Sequence, residues 1–334
     1  MAKNDLRRAL FLALTGSGKE FCSGQELCDR LGVSRTAVWK EVGLLREAGY
    51  EIESVTNKGY RLILVPDALT HPLMEMHLGT ERAALVQCYE ELDSTNTRAL
   101  QLSLTGAPTG TVVLADRQTR GSGRLGRSFA SPAGVGIYLS YLLRPECDTS
   151  ALSLLTSLAG LAVCEVLEEY GLAPGIKWPN HIILDHRKVC GILTKLTSDG
   201  ETATVNGAVM GIGINVAQQR QDFPEELRDK AISVREAGVD VLRAELAARV
   251  IDRLDEFFLR QKLLQKPSDT LIAALRKRSC TVGSRVMVIS PTESVEAEAI
   301  DIAPDAGLIV RFADGSTRTV SSGEVSVRGL LGYT

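Results

Sequence analysis

At 334 residues the chain exceeds a comfortable single hydrophobic core, so two or three domains are expected. Hydrophobic residues make up 44% and charged residues 24%, the balance of an ordinary soluble globular protein, which excludes a disordered chain. A formal net charge of −3 argues against a protein that coats nucleic acid over its whole surface and leaves room for a local basic face.

The opening MAKNDLRRALFLAL carries charges but no small-residue cleavage site after a sustained apolar core, so it does not read as a secretory signal. The longest apolar stretch, Ala151 to Leu167, is diluted by Ser153, Thr156, Ser157 and Glu165 and reads as a buried helix, with no membrane span expected. Seven cysteines (Cys22, Cys28, Cys88, Cys147, Cys164, Cys190, Cys280) include no C-x-x-C pair. An odd number without metal-ligand spacing reads as reduced, packed thiols in a cytoplasmic protein, with no metal-ligating residues.

Residues 1–65 read as helices ending in a strand-like ribbon. Ser23 can cap a helix over Gln25–Leu31, Gly32 breaks it, and Ser34 can cap a second helix from Arg35 to Ala48. Leu27, Leu31, Val33, Val38, Val42 and Leu45 fall at spacings that bury one face of the pair, the arrangement of a helix-turn-helix. Arg35, Thr36, Trp39, Lys40 and Arg46 are left outward for phosphates and base edges. The ribbon Glu51–Leu64, turning at Asn57-Lys58-Gly59-Tyr60, is a natural wing. Ten Lys and Arg stand against eight Asp and Glu here, so DNA binding rests on pattern and not on charge, and a winged helix used for protein contacts stays open.

A Pro-bearing joint, Val65 to Pro72, precedes a mixed segment over 73–275. Strand-like runs (Thr111–Ala115, Gly136–Leu143, His181–Leu184, Val189–Leu196, Thr202–Ile214) alternate with helical ones (Ser150–Tyr170, Ala231–Lys262), predicting a sheet with helices packed on it. Asp93-Ser94-Thr95 taken alone reads as a helix cap before Arg98–Leu102. From Cys280 onward, short alternating runs separated by Pro304-Asp305-Ala306-Gly307 and Asp314-Gly315 predict a small antiparallel barrel over 280–334.

After the strand at 111–116 comes Gln118-Thr119-Arg120-Gly121-Ser122-Gly123-Arg124-Leu125-Gly126-Arg127. Gly121, Gly123 and Gly126 satisfy G-x-G-x-x-G, yet Ser131-Pro132-Ala133-Gly134 and a further strand follow where a dinucleotide fold needs a helix. No G-x-x-x-x-G-K-[ST] exists, so a P-loop is excluded as well. What remains is a flexible loop whose glycines can turn N–H groups inward as an anion nest while Arg124 and Arg127 supply forked charge. A solvated basic turn is the plainer alternative.

QTRGSGRLGRSFASPAGVGIYLS resembles the glycine–arginine loop and following strand of biotin–protein ligases. DSTN (Asp93–Asn96), KWPN (Lys177–Asn180), DHRKVCGIL (Asp185–Leu193) and GIGIN (Gly211–Asn215) match in order around it. With the winged helix and the C-terminal barrel, the resemblance covers the whole chain and points to the bifunctional, repressor-type members. It implies an α+β multidomain protein: a winged helix-turn-helix, a central mixed α/β sheet of class II synthetase type, and an SH3-like β-barrel. The implied reaction joins biotin and Mg·ATP into biotinoyl-5′-AMP, which a lysine of a biotin carboxyl carrier domain then attacks. Operator DNA is the implied second partner, bound by a homodimer that forms with the adenylate.

Residue by residue, the resemblance implies biotin contacts from Ser94, Thr95, Asn96, Gln118, Ser122, Gly123, Arg124, Lys188 and Gly191. Lys188 and Arg124 take the catalytic roles, Lys188 by neutralising the reacting carboxylate. ATP and adenylate fall to Gly121, Arg127, Lys177, Trp178, Asn180, Gly211, Gly213 and Asn215, with Trp178 and Asn180 as the adenine wall. Two positions depart from the family pattern. Ser122 stands at the first arginine of G-R-G-R-x-G-R, which predicts weaker phosphate attraction. His181 stands where K-W-P-N-D places an aspartate, and a neutral imidazole is a poor ligand for hard Mg²⁺. It can instead meet a phosphate or cap the strand. A biotin sensor with little turnover, or a lipoate or octanoate ligase of the same fold, are the competing readings.

Overall fold

The computed structural model describes residues 3–17, 20–145, 152–198, 205–261, 263–264, 269–290, 294–321 and 326–329. The chain divides into two compact units, Met1–Val86 and Gln87–Thr334.

In the first unit, α1 (Lys3–Gly16), α2 (Gly24–Leu31) and α3 (Arg35–Glu47) pack together. Ser23 Oγ accepts from Glu26 N and Ser34 Oγ from Ala37 N, which fixes where α2 and α3 begin. Gly32 ends α2 in the left-handed region at φ 65°. Leu27, Val38, Val42 and Leu45 are buried with Leu10 and Leu14 of α1; Leu31 and Val33 are half-buried. The expected wing is the antiparallel pair β1 (Glu51–Val55) and β2 (Gly59–Leu64). Tyr60 and Cys22 exchange backbone hydrogen bonds of 2.9 and 2.8 Å. At Gly59, φ 106°, a Cβ would collide with the Cys22 carbonyl, so only glycine permits that stitch.

Arg46 has a further role. Its guanidinium donates to Ile52 O (3.0 and 2.6 Å) and Ser54 Oγ (3.1 Å), so this exposed side chain also fastens α3 to the wing. Within the expected joint a helix begins, α4 (His71–Leu78), with Pro72 in its first turn, where a missing N–H costs nothing. It is followed by α5 (Thr80–Ala83), and Arg8 Nε donates to Met76 O at 3.1 Å.

The second unit runs through β3 (Val86–Leu92), α6 (Thr95–Leu104), β4 (Val112–Gln118), β5 (Gly136–Leu143), α7 (Leu152–Glu169), β6 (Gly175–Lys177), β7 (His181–Leu184), β8 (Arg187–Ser198), β9 (Val205–Asn215), α8 (Arg243–Asp255) and α9 (Asp269–Arg278). Among the described residues its central sheet has the order β3-β4-β5-β9-β8-β7-β6, antiparallel at each step from β4 to β6, with α6 as the crossover between β3 and β4. One face carries α6 on a cluster of Ala99, Val113, Leu142 and Val209. The other carries α7, whose Gly160 lets Ile182 and Ile192 approach, and α8, whose Asp255 accepts from Tyr141 OH at 2.6 Å.

The helix expected over Ala231–Lys262 is overturned in its first third. Ile232 N donates to Lys188 O and Val234 N to Asn215 O, so the segment runs strand-like beside β8 and β9 before turning at Gly238, φ 94°. Helix begins only at Arg243 and passes into a π turn at Glu256–Arg260. Apolar periodicity at Ala231, Ile232, Val234, Val239 and Val241 cannot separate these outcomes by itself.

Strands β10 (Arg285–Ile289), β11 (Ser294–Ile302), β12 (Leu308–Phe312), β13 (Thr317–Val320) and β14 (Ser326–Gly329) form an antiparallel sheet of order β13-β12-β11-β10-β14. Among the described residues no pairing joins β13 to β14, and this part is an antiparallel sheet. It is tied to the central sheet by Cys280 N on Ile176 O (3.0 Å) and by the Trp178 indole N–H on Ala306 O (3.0 Å).

Arg243 is 2% exposed. Its Nη1 donates to Asp116 Oδ1 at 2.5 Å and to Gly136 O at 3.3 Å, while Asp116 Oδ2 accepts from Gly134 N. Removing the carboxylate takes the counter-charge from a buried guanidinium, at a cost on the order of 3 kcal/mol. Asp116→Ala is therefore expected to lower the urea midpoint of the second unit, followed by Trp178 fluorescence with Trp39 replaced by Phe. Asp116→Asn should fall between, and an unmoved midpoint in the alanine variant would refute the brace.

Candidate functional site

Register across five strands aligns Lys177, His181, Gly191, Gly213 and Tyr138 in one row. Directly paired residues project to the same face, so Gly191 and Gly213 leave two adjoining positions of that row without side chains. Lys188 and Phe129 occupy the space. The Lys188 amine lies 2.8 Å from where a Cβ on Gly191 would stand and 5.6 Å from the Phe129 ring centroid. The Phe129 ring covers Gly213 so closely that a Cβ there would come within 2.5 Å of it, and it meets Tyr138 edge-on at 6.4 Å.

The backbone of Lys188 is clamped from both sides. Its N–H donates to Lys230 O, its carbonyl accepts from Ile232 N at 3.0 Å, and Asn215 Nδ2 adds a contact at 3.3 Å. Burial pushes the half-buried amine down to about 8, with Arg127 and Lys177 pressing the same way and Cys190 opposing. Burial holds the His181 imidazole well below its usual 6.5, helped by the charges of Lys188, Lys177, Arg124 and Arg127. Lys177 is lowered by burial, and Arg124 by burial and then by Arg127.

Beside this row lies a neutral polar network. Thr95 N and Thr95 Oγ1 both donate to Gln118 Oε1 (2.9 and 3.1 Å), and Gln118 Nε2 donates to Ser131 Oγ (2.9 Å). Ser140 Oγ bridges Thr95 Oγ1 (2.8 Å) and Asn96 Oδ1 (2.7 Å), and Asn96 Nδ2 donates to Leu193 O over side-chain-free Gly211. Ser94 holds the N-cap position of α6, as the cap reading expects, but its side chain makes no capping bond. It is buried beside Thr95 and Asn96.

The glycine–arginine loop is more ordered than its glycines suggest. Gly123 N donates to Arg127 O (2.7 Å), Phe129 N to Gly121 O (2.8 Å), and Ser122 pairs with Ser128, closing a small hairpin around a 3-10 turn at Arg124–Gly126. Arg124 is half-buried; Ser122 and Arg127 are exposed.

Several expected ligand contacts are engaged within the protein. Trp178 is 3% exposed and bonded to Ala306, and Asn180 Nδ2 donates to Ile192 O at 2.7 Å. Asn215 holds Lys188 O and Ile232 O. Phe129, Ser131 and Ser140 all lie within the quoted loop-and-strand motif but had no role assigned from the sequence, and the Asp116–Arg243 brace carried no local signal. Among the described residues, no group of three or more His, Cys, Asp or Glu is placed to hold a metal ion, and no helix is long and apolar enough to cross a membrane.

On α3, Arg35, Thr36, Trp39 and Lys40 are exposed as expected, Trp39 at 68%. Arg35 Nη2 donates to Gln25 Oε1 at 2.9 Å. A concavity of about 510 Å³ opens between the starts of α2 and α3 and the wing, lined among others by Ser23, Gln25, Arg35, Asn57 and Lys58.

Three family models match the chain: the biotin/lipoate A/B protein ligase family over residues 89–215, an HTH domain over 7–61, and the biotin protein ligase C-terminal domain over 281–328. The bifunctional ligase/repressor BirA of Bacillus subtilis is 41% identical over 252 residues, 75% of this chain and 77% of that protein. BirA of Escherichia coli is 35% identical over 73% of this chain and 74% of its own length. The solved biotin protein ligase of Aquifex aeolicus in complex with biotin and ATP is 31% identical with a TM-score of 0.63, covering 73% of this chain and 98% of that one. Likeness of this extent, over a chain that has both the helix-turn-helix unit and the glycine-floored lysine cleft, places the protein in the BirA family of bifunctional biotin ligase/repressors.

Proposed function

We propose that the chain is an ATP-dependent biotin–[biotin carboxyl carrier protein] ligase that works through biotinoyl-5′-AMP and is also a biotin-responsive transcriptional repressor. The observation that carries the reading is the Lys188 amine, clamped at its backbone and laid over Gly191 beside a buried amide-and-hydroxyl network. A cation held there suits a carboxylate. The network of Ser94, Thr95, Asn96 and Gln118 suits a ureido ring, and such a polar site rejects analogues lacking those groups by on the order of 10⁴-fold.

In the first step a biotin carboxylate oxygen attacks the α-phosphorus of ATP, the bond to the β-phosphate oxygen breaks, and pyrophosphate leaves with the electron pair. Lys188 holds the carboxylate and then the ester oxygen; Arg124, Ser122 and Gly123 hold the carboxyl–phosphate junction. Gly191 and Gly213 keep the floor low enough for the ligand. Gly121, Arg127 and Lys177 face the nucleotide, while Trp178, Asn180, Gly211 and Asn215 shape its side chiefly through the backbones they anchor. In the second step a carrier lysine attacks the anhydride carbonyl and AMP leaves. Magnesium arrives as Mg·ATP, because the groups pressing on His181 are cations and do not suit a bare Mg²⁺.

The functional division we adopt is 1–65 for DNA, 73–275 for a ligase domain of class II synthetase type, and 280–334 for a C-terminal sheet that curls toward an SH3-like barrel and helps receive the carrier. Adenylate-bound copies pair as homodimers on a two-fold operator, and the protein works in the cytoplasm.

With biotin and Mg·ATP the purified protein is expected to label a carrier domain, and Lys188→Ala to cut adenylate formation by about 10²–10³-fold. Near-normal yield from a Lys188→Ala protein whose first unit melts normally would refute the lysine's role. Because Lys188 is charged only below about 8, kcat/KM for biotin should fall as pH rises through that value. A profile flat to pH 9.5 would contradict it. Replacing both Arg35 and Lys40 with Gln should weaken binding to an operator selected from random duplexes. It should also flatten the slope of log K against log salt by about 2 per protomer, about 4 for the homodimer; an unchanged slope would remove α3 from the interface.

A further inference from the structure

We propose that His181 is a phosphate-binding, nucleotide-positioning residue that takes up a proton as the adenylate's acyl phosphate enters and then donates a hydrogen bond to it. The inference rests on the ligase reading above and assigns a role to the position at which this chain departs from its family's pattern.

Placement comes first. His181 pairs with Lys177 on β6 and with Gly191 on β8. Gly191 has no side chain, so the space next to the imidazole on that side is filled by the amine of Lys188. The charges that press hardest on the ring come from three directions: Lys188 on β8, Lys177 on β6, and Arg124 and Arg127 on the glycine–arginine loop. Lys188 and Arg124 are assigned to the carboxyl–phosphate junction of the adenylate and Lys177 and Arg127 to its nucleotide side, so the phosphate that joins the two comes to the edge of His181.

The chemistry follows from sign. An aspartate at 181 would stay negative here, attract the same four cations and compete with the phosphate for them. An imidazole does neither. In the empty site, burial and like charge keep it neutral, as its depressed proton affinity records. The acyl phosphate brings the one charge that offsets both penalties, and the protonated ring can donate where the neutral ring held a lone pair. Linkage makes the effect reciprocal: if the ligand raises the ring's proton affinity, lower pH must tighten the ligand, by at most tenfold per pH unit for one proton. The window is separate from that of Lys188, whose amine stays charged until about 8, and from that of the Cys190 thiol, pushed up to about 12.

The test uses the full-length protein and the phosphodiester of biotinol with adenosine, which has no acyl carbonyl for an amine to attack and does not titrate near neutrality. The chain has four histidines, so the His181 ring resonance can be assigned by its loss in His181→Asn or His181→Gln. The ring pKa is expected to rise from well below 6.5 into the window between pH 6.0 and 7.5 when the analogue binds. Affinity should tighten at least threefold from pH 7.5 to 6.0 in the wild type and stay level in both variants. Binding with an unmoved His181 resonance, or the same pH dependence in the variants, overturns the inference and leaves the ligase reading standing. Failure of the analogue to bind at any pH overturns both.

Discussion

The site depends on one contact, the Lys188 amine lying on the sheet over Gly191. A long cationic side chain ordinarily extends into water, where its charge is cheapest. Here the row beneath it offers no side chains at Gly191 and Gly213, the Phe129 ring closes the adjoining space, and the backbone on both sides of the lysine is pinned. The amine is partly desolvated before a ligand arrives. A carboxylate entering that space therefore meets a positioned cation in a medium that screens it weakly, where charge stabilisation is most effective.

The surrounding scaffold preserves that contact. Asn215 and the 230–232 segment fix Lys188 from the backbone, and the Asp116–Arg243 pair braces Gly134 and Gly136. Tyr138 OH donates to Pro132 O while its ring steadies Phe129. Trp178 and Cys280 join the β6–β7 corner to the C-terminal sheet. Disturbance in that sheet consequently reaches His181 and Lys177 through β6 and β7, although neither residue belongs to it.

Much of this was legible in the sequence wherever a physical requirement was local. Ser23, Gly32 and Ser34 marked their helix boundaries because capping and left-handed geometry involve only near neighbours. The strands around Gly136–Leu143 and Val189–Leu196 were legible as short apolar runs bounded by turn residues. What depended on distant partners was not. Ala231–Val241 has helix-like apolar spacing, yet β8 and β9 claim its backbone. Arg46 was legible as a cation on α3, but its hydrogen bonds to Ile52 O and Ser54 Oγ in the wing were not. Trp178 was legible as part of a motif, but the bond from its N–H to a carbonyl 128 residues away was not. The lysine was identified by resemblance; the glycine floor and aromatic cover that explain its position required the register of five strands.

The central claim is that this cleft joins biotin to AMP. Biotin-dependent ATP–pyrophosphate exchange tests it most directly, because the exchange reads the first step in isolation from any carrier protein. The account predicts exchange that starts on addition of biotin and that neither lipoate nor octanoate can support. No exchange at saturating biotin and Mg·ATP, or exchange driven equally well by lipoate, would contradict it.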